Sequence, residues 1–455
     1  MSLQTVNPAT GQVIKTYEEM TEKEAFQIID QTQQAFLKWR NVAIAERAKI
    51  LHKVADLLKR NKNKYAEIIT SEMGKPITPA VAEIEKCAWV CQHYAENAAN
   101  YLEPRVITTE MQKSYVSYEP LGIIFAIMPW NFPFWQVFRF AAPTLMAGNA
   151  ALLKHAPIST GAALMIEQLL HEAGLPENLF RTLVLSNEVA EKVIANRLVK
   201  AVTITGSGRA GSIVGKTSAK HLKRVVLELG GSDPYLILAD ADLEEAAETC
   251  VKSRMNNSGQ VCISAKRLIP VTEVRDEFEG LIKEKIKAYK MGDPQDSQTN
   301  MGPMARKDLR DEVHHQVLES VKKGAKLVMG GEIPDKDGFY YPPTLLTNVK
   351  PGMPAYDEEI FGPVICIVDT KDEADAIRIA NDTPFGLAAA VFTRDLDRGE
   401  KIARHQIEAG SVAVNTFVAS DPRLPFGGIK QSGYGRELSK EGIVSFTNVK
   451  TVSIK

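Results

Sequence analysis

Cysteine is scarce in this chain, and its five cysteines form an odd and widely scattered set: Cys87, Cys91, Cys250, Cys262 and Cys366. Such a set argues against a disulfide framework and suits a reducing compartment. Cys87 and Cys91 lie four residues apart on a predicted helix, so a metal-binding pair is one interpretation. No second Cys or His pair with ligand spacing follows nearby, which favours buried helical thiols and leaves no metal site expected.

An excess of charge of one sign is also missing. The chain has 55 Lys and Arg against 56 Asp and Glu, for a net charge of -1. Interspersed charges give no electrostatic reason to expect nucleic acid or an anionic membrane as a partner. The longest apolar run, residues 121–130, is too short to cross a bilayer, and residues 1–21 lack the order of a secretory signal. We therefore expect a cytoplasmic protein.

What the chain does have is length. With 455 residues and 44% apolar content, it exceeds what one hydrophobic core usually organises, so two large α/β domains are predicted. Short strand-like runs alternate with helix-length segments, which is typical of parallel sheets covered on both faces. The first series of runs is 122–128, 150–154, 182–185, 201–205 and 225–229, and the second is 235–238, 326–329, 364–368, 388–392 and 411–414.

The N-terminal part shows a helical pattern instead. Thr21 and Glu24 form a capping-box signature ahead of apolar residues at helical spacing. A second helical pattern begins at Ile50 and continues until Gly74 ends it. At the other end of the chain, the strand-like run 451–454 is predicted to pair either with the extended segment 115–118 or with another subunit.

Two reactive groups carry the chemistry. Glu228 ends a predicted strand, and Cys262 closes the loop sequence that begins at Asn257. A thiol can add to a carbonyl and become acylated, and a carboxylate can deprotonate the water that later releases the acid. The pair predicts covalent oxidation of an aldehyde. Taken singly, a cysteine is more often an inert core residue and a lone glutamate a solvated one.

A glycine motif lies between a predicted strand and a predicted helix: Gly206-Ser207-Gly208-Arg209-Ala210-Gly211. Its pattern and the following Glu228 match a dinucleotide-binding fingerprint, in which N–H groups at a helix start bind a pyrophosphate. The other interpretation is that the glycines serve a tight turn and close helix packing. Glu228 cannot both hold a ribose and face a thiol, so the two patterns compete for one carboxylate.

Seven motifs, in order and over essentially the whole chain, resemble the aldehyde dehydrogenase superfamily, and within it most of all the bacterial succinate-semialdehyde dehydrogenases. They are Pro129-Trp130-Asn131-Phe132-Pro133, Lys154, Thr205-Gly206-Ser207, Leu227-Glu228-Leu229-Gly230-Gly231, Gly259-Gln260-Val261-Cys262, Glu358-Glu359-Ile360-Phe361-Gly362-Pro363 and Pro425-Phe426-Gly427-Gly428.

The resemblance implies the aldehyde dehydrogenase fold, an α/β architecture, and an assembly that is a homodimer or homotetramer. It divides the chain into three parts: a Rossmann-like NAD(P)-binding domain of residues 1–112 and 127–228, an α/β catalytic domain of residues 229–424, and a small β oligomerisation element of residues 113–126 and 437–455.

The resemblance also implies residue roles. Cys262 is the nucleophile, Glu228 is the acid/base rather than a ribose ligand, and the Asn131 amide and the Cys262 N–H stabilise the oxyanion. NAD or NADP is the implied cofactor. Lys154 approaches the adenine ribose, Ser207 the pyrophosphate, Glu359 the nicotinamide ribose and Phe361 the nicotinamide. The full cofactor set is Trp130, Lys154, Pro157, Gly206, Ser207, Gly211, Leu229, Glu359 and Phe361.

Two positions depart from the family pattern. Many NAD-preferring members carry, three residues after the lysine, a glutamate that repels a 2′-phosphate; Pro157 stands there, so use of both NAD and NADP is predicted. Arg139 matches an arginine that holds the distal carboxylate of succinate semialdehyde, with Gln136 and Ser420 assisting. A second family arginine is replaced by Asn256. An ordinary structural salt bridge is the other interpretation of Arg139.

The predicted reaction is therefore oxidation of a short carboxylated aldehyde, most of all succinate semialdehyde, to the acid with NAD(P)+. Three alternatives stay open. One is a broader aldehyde dehydrogenase that also takes glutarate semialdehyde or other short aldehydes. A CoA-acylating relative is the second, although it would not be expected to keep Glu228. The third is a non-catalytic binding protein that reuses the fold.

Overall fold

The computed structural model describes residues 2–455, and the strands of this part run in chain order as β1 (Ser2–Val6), β2 (Val13–Glu18), β3 (Arg105–Ile107), β4 (Lys113–Pro120), β5 (Ile123–Met128), β6 (Ala150–His155), β7 (Phe180–Thr182), β8 (Val199–Thr205), β9 (Arg224–Glu228), β10 (Pro234–Ile237), β11 (Arg267–Pro270), β12 (Lys326–Met329), β13 (Thr344–Val349), β14 (Val364–Val368), β15 (Ala388–Phe392), β16 (Ser411–Val414), β17 (Gly433–Tyr434) and β18 (Thr447–Ile454).

The helices that connect these strands are α1 (Glu22–Trp39), α2 (Ile44–Arg60), α3 (Lys62–Met73), α4 (Ile77–Tyr101), α5 (Trp135–Met146), α6 (Thr160–Glu172), α7 (Asn187–Ala195), α8 (Gly208–Lys220), α9 (Leu243–Met255), α10 (Arg275–Ile286), α11 (Lys307–Lys322), α12 (Pro354–Asp357), α13 (Glu373–Asn381), α14 (Leu396–His405) and α15 (Ser439–Ser445). Short 3-10 turns cover Pro157–Ser159, Asn256–Gly259, Thr272–Val274 and Lys430–Ser432.

A six-stranded sheet has the order β17-β9-β8-β5-β6-β7. The strands from β9 to β7 pair in parallel, and only β17 runs antiparallel to its neighbour. Because the carboxyl ends of parallel strands share one edge, the segments after β5 and β8 and the last residue of β9 meet there. These are Asn131 with its neighbours, the Gly206-Ser207 turn and Glu228.

A seven-stranded sheet has the order β12-β13-β14-β11-β10-β15-β16 and is parallel except for the β12–β13 pair. Strands β11 and β14 are neighbours, so the loops that precede them lie side by side. The loop before β11 carries Cys262, and the loop before β14 carries Glu359 and Phe361. The fold thus brings the thiol and two predicted cofactor residues to one edge.

Each large sheet has its own hydrophobic core. One core comprises buried residues from Ala25 to Leu229 together with a few from later loops, and the other is built from residues between Tyr235 and Ile407. The two α/β halves expected from the sequence are therefore present.

A small third sheet, β18-β4-β3, stands apart from the two large ones. Val452 pairs with Tyr115 and Thr451 with Val116, so the C-terminal strand does pair with the extended segment predicted from the sequence. The expected boundary at residue 126 falls inside β5, a strand of the six-stranded sheet, whereas β3, expected in the cofactor domain, belongs to this third sheet.

The N-terminal helix begins as predicted. The Thr21 hydroxyl accepts from the Glu24 N–H at 3.3 Å, and the Glu24 carboxylate accepts from the Thr21 N–H at 2.7 Å. The prediction of one continuous helix after Ile50 is wrong, because the chain turns at Asn61 and forms α2 and α3. Asparagine favours helix ends, since its side chain competes for backbone hydrogen bonds. Gly74 ends α3 in the left-handed conformation.

The sequence patterns misplaced one strand and did not predict several others. The predicted run 182–185 overlaps β7, which covers Phe180–Thr182, only at Thr182. The β1–β2 hairpin is mostly exposed and therefore lacks a continuous apolar run. The buried strands β11 and β13 were also missed. Within residues 2–455, no helix combines the length and the apolar character needed to cross a membrane.

Candidate active site

A cavity of about 600 Å³ lies between α4, α5, the loop before β11 and the segment after β16. Cys262 lines it together with Gln136, Arg139 and Ser420. The predicted nucleophile and the three predicted substrate residues therefore share one space, although their positions along the chain are far apart. Cys262 is the one partly exposed cysteine of the part described, and the other four are buried.

The backbone before Cys262 is unusual. Asn257, Ser258 and Gly259 have φ values of 52°, 53° and 73°, all in the left-handed region. Two of these are not glycine, and each such residue costs about 1–2 kcal/mol relative to a right-handed one. A Cβ on Gly259 would lie 2.1 Å from the carbonyl oxygen of Gly362, so no larger residue fits there. This conformation persists because neighbouring side chains hold it.

Side-chain amides tie this loop to the end of β5. Asn257 donates from Nδ2 to the carbonyl of Asn131 at 2.9 Å, and Asn131 donates from Nδ2 to the carbonyl of Gln260 at 3.1 Å. The Gln260 side chain donates to the Asn257 carbonyl at 3.0 Å and accepts from the Ala305 N–H at 2.9 Å. An amide NH₂ has two hydrogens, so the Asn131 side chain keeps one for another acceptor.

A buried arginine, Arg254 of α9, supports the same loop from below. Its Nη1 donates to the Ser264 hydroxyl at 2.8 Å and to the Gly259 carbonyl at 3.3 Å. Its Nε and Nη2 donate to the carbonyls of Val364 and Ile360 at 2.6 and 2.7 Å. Burial lowers the Arg254 pKa to about 10, which still leaves the side chain charged at neutral pH. One guanidinium therefore fixes both loops that carry predicted functional residues.

Lys266 links the nucleophile to Glu359. Its ammonium lies 3.0 Å from the Glu359 carboxylate and donates to the carbonyl of Cys262 at 2.5 Å. The same Glu359 oxygen accepts from the Gly231 N–H at 3.1 Å. Glu359 is thus oriented by two donors, and Lys266 is the cation that most lowers the Cys262 pKa.

The thiol of Cys262 is nevertheless neutral in this state. Burial raises its pKa to about 11, and the nearby acids Glu359 and Asp233 add to that rise, while Lys266 and Arg139 oppose it. At pH 7 a group with that pKa is ionised in roughly one molecule in ten thousand. Reaction therefore requires that the proton leaves as the thiol adds to a carbonyl.

Glu228 stands at the end of β9 and is buried. Neither of its carboxyl oxygens has a hydrogen-bond partner within residues 2–455. A Cβ built on Gly427 would lie 2.6 Å from one of them, so the carboxyl group points towards Gly427 and not into the cavity. Burial and the neighbouring Glu437 raise the Glu228 pKa well above its ordinary value, and Arg139 and Arg436 oppose this.

Arg139 has partners other than a substrate. Its Nε forms an ion pair with Glu437, and its Nη2 donates to the Thr205 hydroxyl at 3.2 Å. Its guanidinium carbon lies 4.8 Å from the centre of the Phe426 ring. The structural salt bridge considered from the sequence is therefore present, and the same side chain also lines the cavity.

Most of the predicted cofactor residues lie at the carboxyl edge of the six-stranded sheet, whereas Glu359 and Phe361 lie in the loop before β14 of the seven-stranded sheet. Ser207 caps α8, since its hydroxyl accepts from the Ala210 N–H. A Cβ on Gly206 would meet no atom closer than 3.8 Å, so the turn is open to a ligand. A Cβ on Gly211 would lie 2.5 Å from the Leu229 side chain, so a glycine at this position also permits close packing of α8.

The remaining cofactor positions lie at the ends of β5 and β6 and in the loop before β14. The Trp130 and Phe361 rings meet edge to face with their centres 5.8 Å apart. Lys154 is buried near the end of β6, where burial lowers its pKa and Glu19 opposes the shift. Pro157 is exposed and opens a 3-10 turn directly after that strand.

Comparison with known proteins decides the family. A sequence profile described as "Aldehyde dehydrogenase family" matches residues 1–452. The chain belongs to the aldehyde dehydrogenase family. It is 46% identical over 454 residues to a Synechocystis sp. protein named "Probable succinate-semialdehyde dehydrogenase", with NADP(+) given in the name, and the match covers 100% of both chains.

Two further members of the family are similar over nearly their whole length. Succinate semialdehyde dehydrogenase Sad of Escherichia coli, named for NAD(P)+, is 44% identical, and the match covers 98% of this chain and 96% of that one. The crystal structure of succinic semialdehyde dehydrogenase from Streptococcus pyogenes in complex with NADP+ superimposes with a TM-score of 0.97 at 38% identity, covering 99% of both chains.

Sequence reasoning missed four side chains of this aldehyde dehydrogenase site: Lys86, Arg254, Lys266 and Glu437. Lys266 follows Cys262 by one helical turn, which was a usable signal. Arg254 stands on a helix of otherwise mixed polarity, and Glu437 follows a glycine-rich loop. In neither case does the local pattern distinguish a buried charge from a solvated one.

Proposed function

We propose that this chain oxidises succinate semialdehyde to succinate with NAD+ or NADP+. The observation that carries the proposal is the shared cavity, in which the Cys262 thiol and the Arg139 guanidinium line one space. A nucleophile at one point and a cation at another suit a substrate with an aldehyde at one end and a carboxylate at the other. The names of the relatives from Synechocystis sp., Escherichia coli and Streptococcus pyogenes support the same substrate.

Cys262 begins the reaction by adding its sulfur to the aldehyde carbon, while the thiol proton passes to solvent, to which the partly exposed Cys262 has access. The product is a thiohemiacetal whose oxygen carries developing negative charge. The free amide hydrogen of Asn131 and the Cys262 N–H are the donors that would stabilise this charge, and one such donor contributes about 3 kcal/mol. The hydrogen bond from Asn131 to the Gln260 carbonyl keeps the amide in place for that role.

The chain's residues fit a dinucleotide. The open turn at Gly206 and the N-terminus of α8 offer N–H groups to a pyrophosphate. Glu359 is held by Lys266 and Gly231 with its carboxylate partly exposed, so it can accept hydrogen bonds from a ribose. When bound, NAD(P)+ supplies the acceptor for the hydride that leaves the thiohemiacetal carbon.

Glu228 completes the reaction by removing a proton from the water that attacks the Cys262 thioester. For this the side chain must turn from Gly427 towards the sulfur and lose its proton. Attack by water breaks the carbon–sulfur bond, regenerates the thiol and releases the carboxylic acid. In sum, the aldehyde, the oxidised cofactor and one water give the carboxylate, the reduced cofactor and two protons.

We assign the substrate carboxylate to Arg139, with Gln136 and Ser420 as hydrogen-bonding neighbours. Gln136 and Ser420 both line the cavity, and the Gln136 amide NH₂ and the Ser420 hydroxyl are groups that can donate to a carboxylate. Arg139 retains donors beyond those that contact Glu437 and Thr205, because a guanidinium carries five N–H groups.

We propose the three-part division stated from the sequence, with β5 assigned to the cofactor domain and β3 to the third sheet, and with the third sheet as the oligomerisation element of a homodimer or homotetramer. Exposed apolar side chains on its strands support an interface there: Val106, Ile107, Val449 and Ile454. Five free cysteines suit a cytoplasmic location. Light scattering at several protein concentrations tests the assembly, and a monomer at all of them would contradict it.

The function is tested by comparing kcat/KM for succinate semialdehyde, glutarate semialdehyde and butanal, each with NAD+ and NADP+. We expect succinate semialdehyde to exceed butanal by at least about tenfold, the effect of one good charged contact. Formation of succinate without added CoA excludes an acylating enzyme. Equal rates on all three aldehydes would support the broader-specificity alternative, and no reduction of either cofactor would support a non-catalytic protein.

A further inference from the structure

The cavity is rich in positive charge. The cations that line it are Lys75, Lys86, Arg139 and Lys252, and the lining contains one acid, Glu83. Glu83 forms a buried ion pair with Lys75, and Arg139 pairs with Glu437. Lys252 is exposed to solvent. Lys86 is thus a largely enclosed cation that, within residues 2–455, has no carboxylate at ion-pair distance.

Lys86 stands on α4, and its ammonium group is aimed into the cavity. It donates to the Ser420 hydroxyl at 2.9 Å and lies 4.2 Å from the centre of the Trp135 ring. An ammonium has three hydrogens, so two remain for other acceptors. The charge is partly buried and has no carboxylate paired with it, and a bound anion would supply that counterion.

We propose that Lys86 is a second cation of the substrate-carboxylate site and determines the preference for aldehydes that carry a distal carboxylate. This inference rests on the proposed function. Arg139 reaches the cavity from α5 and Lys86 from α4, while Ser420 connects to Lys86 from the segment after β16. A carboxylate has two oxygens, and donors on separate elements can hold each of them.

The inference also accounts for Asn256. A family arginine six residues before the nucleophile is absent here, so Arg139 alone would face the substrate carboxylate while already paired with Glu437. One guanidinium that balances one buried glutamate adds no net positive charge for a ligand. Lys86 supplies that charge from a different helix.

A pH dependence follows from the surroundings of Lys86. Burial and the nearby Arg139 lower its pKa to about 8, while Cys87 and Glu83 on its own helix and Asp421 after Ser420 oppose the shift. Lys86 therefore loses its charge as the pH rises through about 8. The ratio of kcat/KM for succinate semialdehyde to kcat/KM for butanal should fall over the same range, because other groups affect both substrates.

The variants to compare are Lys86→Met, Lys86→Arg and Lys62→Met. Lys86→Met should lower kcat/KM for succinate semialdehyde at least about tenfold more than for butanal, chiefly through KM, since a charged hydrogen bond of this kind is lost. Lys86→Arg keeps the charge and should retain most of the preference and keep it above pH 8. Lys62 contacts Glu85 on the outer side of α4, so Lys62→Met is a matched loss of charge away from the cavity.

The outcomes separate the two proposals. If wild-type enzyme shows no preference for succinate semialdehyde, the proposed function fails. Suppose that wild type shows the preference. If Lys86→Met keeps it, or if kcat/KM falls equally for both substrates, the role of Lys86 is overturned while the proposed function stands. If Lys86→Met does not fold, the test is the wild-type ratio of kcat/KM for succinate semialdehyde to kcat/KM for butanal. A ratio that stays constant from about pH 7 to about pH 9.5 overturns the role of Lys86.

Discussion

Arg139 and Glu437 form a buried ion pair between α5 and the segment that precedes α15. The pair lies beside Glu228, whose pKa Glu437 raises and Arg139 lowers. Arg139 also lines the substrate cavity. Arg139 therefore contacts a neighbour of the proposed base and also faces the substrate cavity. Its removal should affect both the stability of the fold and the preference for substrate.

Arg139→Ala should lower kcat/KM for succinate semialdehyde at least about tenfold relative to butanal, equivalent to about 1.4 kcal/mol. It should also lower the free energy of unfolding by about 3 kcal/mol, because Glu437 is left buried without its counterion. Steady-state kinetics and urea unfolding measure the two effects.

The double variant Arg139→Ala with Glu437→Gln separates them. A neutral amide removes the uncompensated charge, so stability should recover in part while the substrate preference stays lost. Recovery of the preference together with stability would mean that Arg139 acts on the substrate only through the fold.

Glu228→Gln tests the base. In the proposed reaction the Cys262 proton passes to solvent during acylation and Glu228 acts only in hydrolysis, so we expect a burst of reduced cofactor close to one per active site, followed by turnover slowed at least about hundredfold. Rapid-mixing absorbance resolves the two phases. Normal steady-state turnover in this variant would contradict the role of Glu228.

The dependence of the hydrolysis rate on pH should reflect the raised pKa of Glu228. A base must be deprotonated, and burial together with Glu437 raises the pKa of this carboxyl well above its ordinary value, so the active form is reached at higher pH than for an ordinary glutamate. The wild-type deacylation rate should therefore rise with pH above the range in which an ordinary glutamate titrates, whereas the slow rate of Glu228→Gln should lack that rise. A wild-type rate that is constant from about pH 5 to about pH 8 would argue against this base.

Pro157→Glu tests cofactor choice. A carboxylate at this exposed position should repel a 2′-phosphate, so kcat/KM with NADP+ should fall at least about tenfold, while the value with NAD+ should change less than about threefold. Pro157→Gln is the control, since it alters the same backbone position without adding charge. Identical behaviour of the two variants would show that the backbone and not the charge is responsible.

Arg254→Met tests the support beneath the two loops. It removes four hydrogen bonds from buried acceptors, so the free energy of unfolding should fall by about 3–5 kcal/mol. Because the loops that carry Cys262 and Glu359 both lose hydrogen bonds to Arg254, kcat should fall as well. Arg254→Lys, which can satisfy only part of the set, should lie between. Wild-type stability in Arg254→Met would contradict this arrangement.

Local signals predicted part of the fold well. The Thr21 and Glu24 capping box works through atoms three residues apart, and the apolar runs of β5 and β8 reflect strands buried on both faces. Strands that are mostly exposed, such as β1 and β3, have no such run, because neither face has to be apolar when it is exposed to solvent. The break at Asn61 interrupts an otherwise continuous apolar period.

For the site, the resemblance predicted the residues of the motifs, and the structure gathers Cys262, Arg139 and Ser420 in one cavity. The function of Lys86 could not be predicted, because a lysine on a helix usually faces solvent and only the packing of α4 against α5 encloses this one. The role of Glu437 could not be predicted either, because it depends on the ion pair with Arg139, which is distant in sequence.

The central claim is that the sulfur of Cys262 becomes acylated by the substrate. Glu228→Gln mixed with succinate semialdehyde and NADP+, quenched in acid during the burst and digested, should give a peptide in which Cys262 carries a succinyl thioester, while Cys262→Ala should give neither adduct nor burst but still bind NADP+. A burst without modification of Cys262, or turnover by Cys262→Ala, would contradict the account.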